Sequence, residues 1–358
     1  MMTAHWHTIG LTAGLLVLAA GTPAKTYQYE FHKTVAVEQP LEVTVADLPG
    51  DITITIGDQE QVTIDAIKAV EAESEAAAAL IADQMQIKVT STGRQLTVRP
   101  ELLRVKSKPA GFWEKILGKS GEPSPGAVTI KMAVPPDCHI TIDNASGDVS
   151  LAGLHGRQTV ATRSGDVTIK DIIGEIRVTT SSGKIALDNI DGSVWIRSGG
   201  ADITVSSLTG DLEIDNGSGA MTGTNISGNL VVSQRSGPVR VEQLDGDIRI
   251  RSTSGAITVV QQSGAIDIEN ESGDITIRTE LQSSKDYTVE TNTGTIDFAI
   301  PESSGGRIHI EARSGKIDAQ VPIALDTFER TKISGIFGAG GPRITLATVS
   351  GSVRLAEY

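Results

Sequence analysis

The chain has one cysteine, very few aromatics (five Phe, four Tyr and three Trp in 358 residues) and a shortage of positive charge. A lone cysteine, Cys138, cannot form an internal disulfide, and its position far from the N-terminus leaves no lipid-anchor cysteine there. Aromatics at 3% beside 38 glycines argue against a large globular core and for thin strands joined by tight turns. With 31 bases against 44 acids and a net charge of −13, nucleic acid is excluded as a partner, because neutralising phosphates takes clustered cations. No apolar run reaches membrane-spanning length, so the mature chain is not expected to be an integral membrane protein. His32, His139, His155 and His309 share no motif. Neither a Ser-His-Asp arrangement, a phosphate loop nor a zinc spacing occurs, so no cofactor, metal or catalytic residue is expected.

Residues 1–24 have the pattern of a secretory signal peptide, with an apolar stretch from Ile9 to Ala20 that is too short to cross a bilayer. Thr22-Pro23-Ala24 offers a small residue for cleavage, with Ala20 as the alternative. The n-region departs from the usual pattern, having His5 and His7 but no Lys or Arg. A buried apolar strand is the competing interpretation. The signal-peptide interpretation places the mature protein in the periplasm or outside the cell.

What the chain has in abundance is a repeat. From Gly147 to Gly273 a glycine recurs every nine residues, fifteen slots without a slip, with Ala201 filling one of them. Two and four residues after each slot comes an apolar side chain, as in Val167 and Ile169 or Ile248 and Ile250; of thirty such positions only Gln158 and Gly223 depart. Alternation with a period of two buries one face of each short strand.

A second period is superposed on the first. Seven residues after every other glycine stands another aliphatic residue: Leu154, Ile172, Ile190, Leu208, Ile226 and Leu244. In the intervening units that place holds Arg163, Ser181, Gly199, Gly217, Arg235 and Thr253. The structural unit is therefore eighteen residues, with two strands and two unlike corners, one tucking an aliphatic residue inward and the other an exposed Ser-Gly turn. Coils stacked about 4.8 Å apart make the regular part about 36 Å long. Single coils cannot bury their own face, so stacking must supply the stability.

The expected architecture is all-β, a single-chain parallel β-solenoid, with a short flanking helix over 71–86, where an alanine-rich run has acids in its first turn. After the signal, residues 25–137 form the N-terminal part of the solenoid, interrupted by a loop at 99–126. Residues 138–281 are the regular array, and 282–358 are irregular coils and a cap. Leu48-Pro49-Gly50-Asp51-Ile52-Thr53-Ile54 repeats the unit before the array, with Val62, Ile64, Val128 and Ile130 continuing strand character. Gly294, Gly306, Gly315 and Gly351 open units after it, the last of them a final unit.

The Leu48 to Ile54 stretch, the Val134-Pro135-Pro136 step and the repeated Ser-Gly-Asp-Val/Ile units resemble a widespread bacterial family of exported β-strand-repeat proteins, usually labelled candidate adhesins. The resemblance runs from about Tyr27 to Glu357. It implies a right-handed β-helix type of solenoid, exported or membrane-tethered, with no established catalytic activity. The expected function is a non-catalytic, adhesin-like binding or scaffold module of the cell envelope, and the alternative is a polysaccharide-active enzyme on a β-helix scaffold.

Three features bear on a ligand. Asp148, Asp166, Asp211, Asp247 and Asp274 follow their glycines, yet the extra glycines of a calcium nonapeptide are missing and Lys184 falls between Asp166 and Asp202. An outward row of Ser150, Thr168, Thr204, Thr222, Thr258 and Thr276 is broken by Ala186 and Arg240, and Trp195 faces outward on the other strand. Finally, the 99–126 segment is net positive and carries Phe112, Trp113, Lys115, Ile116, Leu117 and Lys119, a cluster suited to an envelope protein, a glycan or a membrane surface, or else to plugging the solenoid.

Overall fold

A strict eighteen-residue period allows every residue to sit beside its counterpart one coil away, and the computed structural model, which describes residues 25–102 and 127–358, has that register. Ile176 pairs with Val194, Val194 with Leu212, Leu212 with Leu230 and Leu230 with Ile248, all in parallel. The companion strands do the same, Val167 to Ile185 to Ile203 to Met221 to Val239. Two parallel sheets thus face each other, with Val, Ile and Leu side chains filling the space between them at close to zero exposure. The signal-peptide segment 1–24 and the greater part of the 99–126 loop, including Phe112, Trp113, Lys115, Ile116, Leu117 and Lys119, lie outside the described residues.

The two corners differ because the chain counts parity differently at each. Before the Ser-Gly turn alternation continues unbroken, so the third inward position is Asn144, Thr162, Thr180, Ser198, Asn216, Gln234, Ser252 and Asn270, all buried. These polar groups line the inside of the turn. Thr180 Oγ1 donates to the Ser182 carbonyl at 2.8 Å, and Asn216 Nδ2 to the Ala201 carbonyl at 3.0 Å. Before the other corner, Gly153, Asp171, Asn189, Ser207, Asn225 and Gln243 take left-handed backbone with φ between 55° and 76°. That step flips the alternation by one residue, which is why the inward aliphatic comes at the seventh position and not the sixth. Asn and Asp tolerate this conformation better than other side chains, which accounts for much of the row.

Glycine is required at the Ser-Gly turn for two reasons that coincide. Gly183 has φ +116°, and a Cβ there would lie 2.1 Å from the Gly165 carbonyl oxygen of the preceding coil. Ala201 is accommodated because its φ is not positive. Gln158, an exception to the apolar rule, is fully buried and donates to the Cys138 and Gly156 carbonyls at 3.2 Å.

Both ends fold back on themselves. At the N-terminal end Leu41–Pro49 and Ile52–Ile56 stack directly on the first regular coil, and Gln95–Leu102 and Ala127–Val134 stack outside them. Antiparallel additions follow: Gln61–Ala72 on Ala127–Val134, Lys25–Ala36 on Gln61–Ala72, and Met85–Ser91 on Gln95–Leu102. The helix spans Glu75–Gln84, shorter than the expected 71–86, because Glu71 and Ala72 finish a strand and Ser74 caps the helix by accepting from the Ala77 N–H. Ala77, Ala78, Ile81 and Ala82 bury its inner face, packing the helix against this end of the stack.

At the other end the loop at 280–286 lengthens one coil, so that Ile266 pairs with Tyr287. The Gly351 unit is last in sequence but not in space. Arg343–Ser350 and Val353–Glu357 slot between the coil of Tyr287–Ile300 and that of Gly306–Ala319. An antiparallel hairpin, Ile323–Glu329 with Lys332–Phe337, then covers Gly306–Ala312. The register rewards this order, since Gly351 stacks on Gly294, where a Cβ would lie 1.9 Å from the carbonyl oxygen.

Candidate ligand-binding face

Side chains that point outward from a parallel stack fall into straight rows one coil apart, so the chemistry of each face is set by eighteen-residue spacing. On the sheet that carries Trp195, one row runs Arg177, Trp195, Glu213, Val231, Arg249 and Asp267. The next runs Arg197, Asp215, Ser233, Arg251 and Glu269. Opposite charges one coil apart pair within and between these rows: Arg197 with Asp215 at 3.1 Å, Arg249 with Asp267 at 2.9 Å, and Arg251 with both Asp267 at 2.9 Å and Glu269 at 3.0 Å.

Between Asp215, Arg235, Arg251, Glu269, Glu271 and Glu290 lies an open groove of about 580 Å³ that crosses five coils along the solenoid axis. A smaller recess of about 340 Å³ sits at the other side of the same face, bounded by Trp195, Asp211, Glu213, Asn229 and Val231. A third depression, about 660 Å³, follows the left-handed corner past Ile56, Ile173 and Asn189.

Charged neighbours shift the titration of three groups on or beside this face. Partial desolvation pushes Asp267 up, but the hydrogen bonds and charges of Arg251 and Arg249 outweigh it and hold the carboxyl below its ordinary range. Arg251 is raised, chiefly by its hydrogen bond to Asp267. Asp247 is held low first by Lys285, 2.7 Å away, and then by the Ala265 N–H.

The aspartates that follow the glycines are occupied in the fold. Asp148 Oδ1 accepts the Asp166 N–H at 2.8 Å, Asp166 Oδ1 the Lys184 N–H at 2.8 Å, and Asp211 Oδ1 the Asn229 N–H at 2.9 Å. Each carboxylate satisfies a corner N–H of the next coil, which explains both the preference for Asp and the tolerance of Lys184, whose backbone alone takes part.

The scattered candidates stay scattered. His32 pairs with Asp65 and His155 with Asp137, both exposed, while His139 Nδ1 accepts the Arg157 N–H, and His309 lies on the strand Gly306–Ala312. Cys138 is buried, and burial foremost, with Asp137 beside it, pushes its thiol up to about 12, far from the thiolate a nucleophile needs. Ser150, Thr168, Thr204, Thr222, Thr258 and Thr276 do align in one register, interrupted by Ala186 and Arg240 as the spacing indicates. Sequence reasoning passed over the Arg251, Asp267 and Glu269 network. Its signal was present in charges of opposite sign eighteen residues apart, such as Arg249 with Asp267 and Arg157 with Glu175.

Among the described residues no helix is long and apolar enough to cross a membrane. The family described as Toastrack DUF4097 matches residues 40–250 and 191–356. Among solved structures, a candidate cell adhesion protein of Clostridium sporogenes is 8% identical, with 93% of this chain and 100% of that one covered and a TM-score of 0.20. A candidate lipid-binding protein of Parabacteroides distasonis is 14% identical over 75% and 94% of the two chains, TM-score 0.28. A candidate adhesin of Bacteroides fragilis is 12% identical over 92% and 97%, TM-score 0.25. No curated protein matches the chain.

Proposed function

Because the chain belongs to the Toastrack DUF4097 family, we propose that it is an exported, non-catalytic module whose solenoid presents a ligand-binding face to the cell envelope, in the manner of an adhesin or scaffold. The observation that carries this reading is the groove across five coils, lined by outward side chains of both signs at coil spacing and open along its length. An extended partner lying along the axis would meet one such rung every ~4.8 Å. A carboxyl pair with one member raised would favour the polysaccharide-active alternative. Export rests on the signal-like pattern of residues 1–24.

The test incubates the purified mature chain with envelope fractions and measures retention and product release together. Retention that falls at least tenfold when Arg235 and Glu271 are both changed to Ala, with no new reducing or unsaturated ends, is the expected result. Release of such ends would replace the binding module with an enzyme.

A further inference from the structure

We infer that the recess beside Trp195 is a binding site for a neutral pyranose ring of a glycan. The inference names a ligand class for one part of the proposed face and rests on the reading that this face binds envelope ligands. Its geometry follows from the row. Arg177 and Trp195 are register partners, and the Arg177 guanidinium carbon stands 4.8 Å from the Trp195 ring centroid. The indole therefore turns one face toward the Arg177 coil and the other toward Glu213 and Val231. Past Trp195 the row drops to Glu213 and then to Val231, a short side chain between longer ones, and this step leaves the recess of about 340 Å³.

Its lining has the two kinds of group that a pyranose presents in complement. The apolar C–H face of the ring fits the partly exposed indole of Trp195 and Val231, which is 38% exposed and one of few exposed large apolar side chains among the described residues. Hydroxyl groups at the ring edge need acceptors. Glu213 makes no ion pair among the described residues, and Asp211, which takes the Asn229 N–H and amide on Oδ1, keeps its other oxygen. Charge narrows the ligand further. Glu175 is paired with Arg157 at 3.1 Å and Arg177 at 3.7 Å, which leaves Asp211 and Glu213 to oppose a phosphate, sulfate or uronate. A cation approaching the indole would compete with Arg177, already stacked on the ring, for the same π density. A neutral ring with an apolar face and several hydroxyls meets neither obstacle.

The test uses the full mature chain with neutral hexasaccharides of β-1,4-glucose, β-1,4-N-acetylglucosamine, α-1,4-glucose and α-1,6-mannose, followed by saturation-transfer NMR and calorimetry. Hexagalacturonate and tetramethylammonium serve as charged comparisons. Trp195→Ala removes the platform, and Val231→Trp fills the recess from an outward position without touching the core. At least one neutral hexasaccharide is expected to bind, with affinity falling tenfold or more in both variants and the urea midpoint of Val231→Trp unchanged. Absence of binding by all four at millimolar concentration, binding indifferent to both variants, or tighter binding of either charged probe would overturn the assignment. Envelope retention is measured on the same preparations. Retention without hexasaccharide binding removes this site and leaves the broader reading standing, whereas loss of both removes both.

Discussion

Replacing Ile250 by Asp should open the solenoid locally, while the same replacement one residue earlier, at Arg249, should not. Ile250 is wholly excluded from solvent and sits in register between Val232 and Ile268 of the adjacent coils. Losing its burial costs about 1.5–3 kcal/mol. An unpaired carboxylate in the same place adds several kcal/mol, for a total of about 5 kcal/mol or more. Each coil touches only its neighbours, so nothing distant can absorb that cost, and the coils on either side should unfold with it. Arg249 is 62% exposed at its side chain and holds Asp267 at 2.9 Å. Its replacement by Asp loses an exposed pair and sets two carboxylates one coil apart, worth about 1 kcal/mol or less. Urea titration followed by far-ultraviolet circular dichroism measures both. The Ile250→Asp deficit should also shrink as pH falls from neutral towards about 4 and change no further below it, because burial raises the folded pKa of the new carboxyl and the penalty on its charged form disappears once it is protonated. Equal midpoints for the two variants, or an Ile250→Asp deficit that does not change with pH, would refute the assignment of inward and outward positions.

Gly183→Ala should destabilise by about 2 kcal/mol or more, since it combines positive φ with a 2.1 Å approach to the Gly165 carbonyl, whereas Ala201→Gly should change the urea midpoint little. At the left-handed corner Asn225→Val should cost about 1–2 kcal/mol and Asn225→Gly should be close to neutral in the same titration. Asp247 has a folded pKa below its unfolded one, so its contribution is present above the unfolded value of about 4 and is lost as pH falls below it. Asp247→Asn should accordingly lower stability at pH 7 and flatten the acid limb of a stability curve, and Lys285→Ala should do so in part. Cys138, with its thiol pushed up to about 12, should resist maleimide at pH 7.5 in the native chain and react fully in denaturant, as read by mass spectrometry.

The residues by themselves were enough for the stack. Nine-residue glycines, apolar positions two and four after them, and an aliphatic at every second seventh place determine coil length, strand number and which side chains face inward. The reason is that burial on a strand has a period of two and stacking repeats it without drift. Why the seventh place is inward was not legible, because it depends on the left-handed step at Asp171, Asn189, Ser207 and Asn225, a backbone state that Asn and Asp permit but do not announce. The aspartates after the glycines were visible as a pattern, yet their work on the next coil's N–H appeared only with the corner geometry. Local composition also placed a helix near its true position while missing its start by four residues, since the strand ending at Ala72 competes for the same chain. The order of the end coils was beyond any periodic argument. A unit's repeat pattern says what it can stack on, and Gly351 fits Gly294 as well as it fits its sequence neighbour, so only tertiary packing decided that the last strands lie inside the end of the stack. The face beside Trp195 depends on the same kind of fact: Arg177, Glu213 and Val231 are eighteen or more residues from it in the chain, and only the coil brings them to one recess.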